Sequence, residues 1–449
     1  MTLFLNKYIN NISSLQTFQL VRFTTFLLIS ILFTKSSLST ADIGRFEMFL
    51  FIASFLSFFW INGLIQSFLP LYQNNVSHRT AERKESDRSP ELFNAFLLIS
   101  FFSFLFFLFG WTIRNHFSVF GISGNVPFLN LLLVYILLSN PAMLVEYVYL
   151  LKNQSHNILR YGFISHAVLL LVVTVPVYLG YDILWSIWGL IVVSVIRLIW
   201  LGVLMARFAE FRVSWSFMRE HLYLGMPLII STLLSGSAQY IDGVIISSKF
   251  DAEAFAKFRY GAKELPFVLL LANGLSNAML PEFAKPGNLK KSLAEVRKKS
   301  KRLIHLLFPL SIFFLLIARW MYPVLFNENF LRSADVFVVY LLLIISRLLF
   351  PQTVLIGLKR TRVIMLASFV EIVCNVALSL WLVKDYGLVG VAVATAIVFV
   401  LEKLLLILYN YFSLRIRPNE YIPVTLHLVY SVVLIGIFIL IDHGVLVIR

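Results

Sequence analysis

Apolar residues arrive in this chain in runs of about 20, repeated from one end to the other. A helix rises 1.5 Å per residue, so such a run covers the roughly 30 Å of hydrocarbon in a bilayer. Lipid offers no water to satisfy exposed backbone groups, so spans of this length must be helices. Of 449 residues, 59% are hydrophobic and 14% are charged, against roughly 25% charged in soluble domains. The alternating ten-residue segments of an outer-membrane barrel are absent from the sequence. The expected fold class is all-α, a polytopic membrane protein. Spans are predicted near 16–36, 44–71, 93–114, 126–150, 160–180, 184–206, 224–248, 259–281, 303–326, 335–357, 363–384, 388–412 and 422–441. They form two sets of six plus one. The implied domains are 1–206, a cytoplasmic linker at 207–223, a second six-helix lobe at 224–412, and an additional helix within 413–449.

The formal charge is +15. In a soluble chain that would point to nucleic acid. In a membrane protein, basic residues gather on the cytoplasmic side, and no nucleic-acid partner is expected. With the N-terminus inside, Lys7, Arg79, Arg83, Lys84, Arg88, Lys152, Arg160, Arg207, Arg212, Arg219, Lys359, Arg360, Arg362, Arg415 and Arg417 all fall on that side. So does the cluster from Lys285 to Arg302. The first span has no cleavage pattern before it ends and is expected to stay as an anchor. Cys374 is the single cysteine, so neither a disulfide framework nor a cysteine metal site is expected. No phosphate-binding loop, nucleophile elbow or metal-type histidine spacing occurs. No enzyme activity, metal or cofactor is expected.

A faint internal repeat is legible. Leu151-Lys152 opens the fifth span and Leu358-Lys359 opens the eleventh. Each is followed by an apolar run, a turn with an Asp (Tyr181-Asp182; Asp385-Tyr386-Gly387) and another run. The tight turns require antiparallel neighbours. Six helices per half put both halves in the same direction, a plan common among transporters.

Ionisable groups at membrane depth cost roughly 2.5–3.5 kcal/mol each on insertion scales, so they face a cavity or a partner. In the eighth span, Arg259, Lys263, Pro266, Asn273, Asn277 and Pro281 recur on one helical face. The two cations call for an anion. A substrate would serve, and so would Asp242 at the end of the seventh span. Ser231, Ser235, Gln239 and Asp242 stripe the seventh span, with a bend expected near Gly225–Pro227. Arg22 lies about two turns into the first span, placed for substrate or for the interface. Asp42 and Arg45 open the second span. Arg347 is mid-span in the tenth, and Glu371, Asn375 and Ser379 share a face of the eleventh. That carboxylate is placed to pair with Arg347 or to hold a proton or cation. Glu146, Arg197, Glu402, Lys403 and His166 are further polar residues in apolar runs. The stretch from Lys285 to Arg302 has the pattern of a basic amphipathic helix lying on anionic inner-leaflet lipid.

Several segments resemble polysaccharide-unit flippases of the multidrug/oligosaccharidyl-lipid/polysaccharide exporter superfamily. Leu38-Ser39-Thr40-Ala41-Asp42-Ile43-Gly44-Arg45-Phe46 is similar to the family's opening of the second helix, and Gly63-Leu64-Ile65-Gln66-Ser67-Phe68 to its close. Tyr223 to Pro227, followed by Asp242, resembles the start of the second half, with Gly243 where the family often has Arg. Leu325-Phe326-Asn327-Glu328-Asn329-Phe330 is similar to its outer loop. Asn375, with the run from Tyr386 to Thr395, is similar to a further family motif. The resemblance implies two six-helix bundles around a central cavity, alternating access, and a bacterial inner-membrane location. It implies undecaprenyl-diphosphate-linked oligosaccharide as cargo, with glycosyltransferases and a polymerase of the same pathway as partners. By matching helices it puts Arg22, Arg259 and Lys263 at the diphosphate. From the polar pattern itself, Arg347, Asn273 and Asn277 are the further substrate-binding candidates, and Asp42, Asp242, Glu371 and Asn375 the ion-coupling candidates. A multidrug antiporter of the same fold is the alternative, and a membrane polymerase or ligase a third. An acidic first helix would favour the antiporter; here that helix carries Arg22 and no carboxylate.

Overall fold

A computed structural model describes residues 11–82, 88–114, 126–283 and 288–443. Lys7, Arg83, Lys84 and Lys285 lie outside the described residues. Among those described, the only extended pairing is an isolated bridge between Ser89 and Ala209; the rest of the ordered backbone is helical. Ten helices are long and apolar enough to cross a membrane, or eleven if Trp215–Leu234 and Gln239–Lys249 form one span. The protein is a multi-pass membrane protein. Its chain divides into two compact units, Met1–Gly236 and Ser237–Arg449.

The first unit holds α1 (Asn11–Thr34), α2 (Thr40–Glu82), α3 (Pro90–Ile113), α4 (Leu129–Ala142), α5 (Leu144–Leu151), α6 (Ser155–Tyr178), α7 (Ile183–Phe208) and α8 (Trp215–Gly236). Local chemistry starts them. The Ser39 hydroxyl accepts from the Asp42 amide at 3.1 Å and donates to its carboxylate at 2.6 Å, closing the first turn of α2. Pro90 opens α3, where its missing N–H costs nothing. Asp182 caps α7 by accepting from the Leu184 amide. The expected linker at 207–223 is shorter: α8 already begins at Trp215. Asn94 pins what remains, donating to the Arg212 carbonyl and accepting from the Ser214 amide.

Helices α2 and α8 pack closely. A methyl group added at Gly63 would lie 2.7 Å from the Ile229 Cα, so glycine lets the two backbones approach. The helix runs unbroken through Pro227. The chain breaks between Gly236 and Ala238. The stripe from Ser231 to Asp242 crosses that break and is not one helical face.

The second unit begins with α9 (Ala238–Lys249), α10 (Ala252–Gly261), α11 (Pro266–Phe283) and α12 (Leu289–Leu325). After a 3-10 turn at Glu328–Phe330 come α13 (Leu331–Leu341), α14 (Ile344–Arg347) and α15 (Pro351–Gly357). The long α16 (Thr361–Phe412) precedes α17 (Pro418–Tyr421) and α18 (Val424–Asp442). The eighth span is not one helix. Pro266 disfavours helical backbone at Leu265 and starts a new helix, so Arg259 precedes the break, Lys263 lies in it, and Asn273 and Asn277 follow it. The basic cluster also differs from expectation. From Leu289 onward it forms the first turns of α12, continuous with the membrane span. Leu293 and Val296 are buried on one side while Lys290, Lys291, Arg297 and Lys298 face outward. The additional helix α18 is tied down at His427, whose Nε2 donates to the Ile345 carbonyl at 2.9 Å.

Within α16 the chain reverses at Gly387, with φ 56° and ψ −130°. Asn375 donates to Thr395 across the turn, which makes the two arms antiparallel, as the short connection required. Only glycine takes these angles without strain. Gly387→Ala should destabilise the protein by about 1–3 kcal/mol, read as a lower melting temperature of the purified protein.

The repeat has a backbone counterpart. Asn153 has φ 53° and Lys359 has φ 58°. The amides of Lys152, Asn153 and Gln154 donate to Val148, Leu150 and Tyr149; those of Leu358, Lys359 and Arg360 donate to Val354, Ile356 and Leu355. The same left-handed turn ends α5 and α15. Each following helix then reverses at a positive-φ glycine, Gly180 or Gly387.

Candidate functional site

The second unit buries a connected set of polar side chains. Asp242 on α9 is 5% exposed. Its carboxylate accepts from the Tyr340 hydroxyl at 2.6 Å and from the Thr395 hydroxyl at 2.7 and 2.8 Å. Asn375 donates to the Thr395 oxygen at 3.2 Å, and its own carbonyl accepts from Ser379 at 2.8 Å. The Tyr340 and Thr395 hydroxyls, both neutral donors, converge on the carboxylate. Arg259 lies within electrostatic reach of Tyr340, and the Lys263 ammonium sits 4.5 Å from the Tyr260 ring centre.

A second group surrounds Arg347. Its guanidinium grips Glu264 with two bonds, Nε to Oε2 at 2.9 Å and Nη2 to Oε1 at 2.6 Å. The plane lies 4.7 Å over the Phe399 ring. The expected pairing of Arg347 with Glu371 does not form. Glu264, in the break between α10 and α11, reaches it first. Glu371 is buried and, among the described residues, makes no ion pair or hydrogen bond of its own. Beside it, Lys403 holds Glu402 at 2.6 Å and Gln352 at 2.9 Å.

The first unit carries a smaller cluster. Arg22 on α1 and Arg197 on α7 both act electrostatically on Glu146 of α5, on Tyr135 of α4 and on His166 of α6. Glu146 is buried. Arg22 thus has an internal anion in reach, beyond the interface reading. Asp42 forms a local pair with Arg45 at 2.7 Å in addition to its helix-starting role. Asn273 and Asn277 share an exposed face of α11. Among the described residues, Asn273 and Asn277 make no hydrogen bond to the buried network around Asp242.

Sequence reasoning grouped Asp242, Asn375 and Glu371 as polar residues at depth. It missed Tyr340 and Thr395 as partners of Asp242, Glu264 as the partner of Arg347, and Gln352 as the partner of Lys403. Glu264 was within reach: it stands directly before the Leu265-Pro266 break, among the cations already singled out. Among the described residues, no group of three or more acidic, histidine or cysteine side chains is arranged to hold a metal ion.

Solved structures share this architecture. A structure of the lipid II flippase MurJ in an inward closed conformation superposes with a TM-score of 0.70 at 15% identity, covering 95% of this chain and 92% of that one. An inward-facing multidrug resistance MATE family transporter gives 0.65 at 12% identity, covering 89% and 94%. At such identities the likeness is one of fold. A Shigella flexneri protein carrying the name of an O-antigen transporter is 24% identical over 187 residues, 41% of this chain. That alignment spans 45% of the relative's length. The model of the family described as Polysaccharide biosynthesis protein matches residues 37–335. The chain belongs to that family, a polysaccharide biosynthesis membrane protein with the fold of the superfamily that contains MurJ and the MATE transporters.

Proposed function

We propose that the protein flips a lipid-diphosphate-linked oligosaccharide across the bacterial inner membrane by alternating access, for surface polysaccharide synthesis. Family membership supports the pathway. The observation that carries the chemistry is the charge at membrane depth: α1 bears Arg22 and no acidic residue. A first helix of that kind suits anionic cargo, since a diphosphate leaving water needs cationic partners. It does not suit a cationic drug, although the MATE fold also matches. Arg22, Arg259 and Lys263 bind the diphosphate in this reading, and Asn273 and Asn277 meet the sugar. Arg347 supports the site through Glu264. Asp242 with Asn375, and Glu371 nearby, take up the coupling proton or cation, because a buried carboxylate that accepts from the neutral hydroxyls of Tyr340 and Thr395 favours a positive guest. The outward-facing lysines and arginines of α12 meet anionic lipid where the helix leaves the membrane. The N-terminus lies in the cytoplasm, beside the glycosyltransferases that build the cargo and apart from the polymerase that consumes it.

Deleting the gene should trap undecaprenyl-linked oligosaccharide on the inner leaflet, measured by extraction and mass spectrometry with leaflet-selective labelling. Arg259→Ala with Lys263→Ala should cut rescue of surface polysaccharide at least about tenfold. Full rescue by a correctly inserted double variant removes both from the diphosphate site.

A further inference from the structure

The cluster in the first unit contains donors with nothing to donate to. Nε and Nη2 of Arg197 are buried and have no protein acceptor. Arg197 stands midway along α7, at membrane depth. Unmet guanidinium donors in such a place are costly, because each has given up water without gaining an acceptor. Glu146 lies in electrostatic reach of both Arg197 and Arg22, yet no ion pair within 4.0 Å joins it to either among the described residues. One carboxylate therefore stands between two guanidinium groups and locks to neither.

The second unit supplies an internal comparison. Counting back from the turns at Asn153 and Lys359 sets Glu146 opposite Gln352; counting on from the reversals at Gly180 and Gly387, Arg197 falls within one residue of the position of Lys403. There the cation is saturated: Lys403 binds Glu402 at 2.6 Å and Gln352 at 2.9 Å. In the first unit no acidic residue adjoins the cation in sequence: Arg197 stands between Ile196 and Leu198. The cation keeps open donors, with a second cation, Arg22, on the exposed side of α1.

We propose that Arg197 is a phosphate-binding residue of the first unit, acting with Arg22, and that Glu146 is the resident anion which an arriving phosphate group displaces. The inference rests on the reading of the cargo as a lipid diphosphate. A phosphate oxyanion fits the forked donors of an arginine bidentately. Glu146 keeps the two arginines from holding unbalanced charge in the empty state and sets how tightly the anion is held. His166 cannot take that part. Its Nδ1 donates to the Gly162 carbonyl at 2.9 Å, leaving Nε2 as an acceptor.

The test uses the full chain in lipid nanodiscs and isothermal titration with two probes, inorganic pyrophosphate and farnesyl diphosphate, with farnesol as control. Arg197→Gln should weaken diphosphate binding about tenfold or more, and Arg197→Lys by less, because it keeps charge and loses the fork. Glu146→Gln should tighten binding severalfold. A merely structural pair would not move the two variants in opposite directions. Unchanged affinity in a folded Arg197→Gln protein overturns the proposal, as does weaker binding by Glu146→Gln. If Arg197→Gln does not fold, Arg197→Lys and Glu146→Gln carry the same sign test. Failure of both probes to bind the native protein also overturns it. Arg197-dependent binding of both probes, without trapped lipid-linked sugar in the deletion strain, keeps the anion site and rejects the flippase reading.

Discussion

Arg347→Ala should destabilise the second unit by about 3 kcal/mol and lower the melting temperature by about 6–12 °C. The Arg347–Glu264 pair is bidentate and mostly out of solvent, with side-chain exposures of 29% and 15%. Removing one partner strands the other charge in a weakly polar surrounding, which usually costs about 3–5 kcal/mol. The remaining exposure of Arg347 puts the effect at the low end. Glu264→Ala should be comparable, because Arg347 would then face Phe399 with its main counterion gone. The double variant Arg347→Met with Glu264→Leu should recover most of the loss, since apolar groups of similar volume leave no stranded charge. Thermal melting in detergent, monitored by size-exclusion fluorescence, measures all three. A double variant as unstable as either single one would show that the pair organises the break between α10 and α11 beyond balancing its own charges.

The second large effect is on transport. Asp242→Asn should reduce flipping at least about tenfold, equivalent to roughly 1.4 kcal/mol in the limiting barrier. Asparagine nearly matches the shape and still accepts from Tyr340 or Thr395. It carries no charge and brings an amide N–H where donors already converge. Folding should therefore survive better than activity. Thr395→Val and Tyr340→Phe each remove one donor and leave the carboxylate. Each should cost less than Asp242→Asn while changing the response of transport to the imposed ion gradient. Rescue of surface polysaccharide in the deletion strain reads the effect, with protein amount checked by immunoblot. Wild-type rescue by Asp242→Asn would remove the carboxylate from ion coupling.

The membrane fold was legible because span length and apolar run length obey the same arithmetic. The short turn at Gly387 was legible for a similar reason: few residues leave the chain no option except to reverse. The partners in the polar network were not. Asp242 meets Thr395 across a long stretch of sequence, and no spacing rule on one helix reveals a contact between helices. The eighth span misled in another way. Its spacings of three and four fit one face only if the helix continues past Pro266, and the proline breaks it. The basic stretch that opens α12 had the pattern of a surface helix, but nothing between Arg302 and Leu303 interrupts the helical backbone. Amphipathic pattern alone does not say where a helix ends.

A chain assembled from two related halves can drift until the halves share almost no residues. The need to stop a helix and redirect it drifts more slowly. Asn153 adopts its left-handed angle easily, and Lys359 holds the same angle without that aptitude. The likeness of the two halves is thus plainer here in torsion angles than in letters.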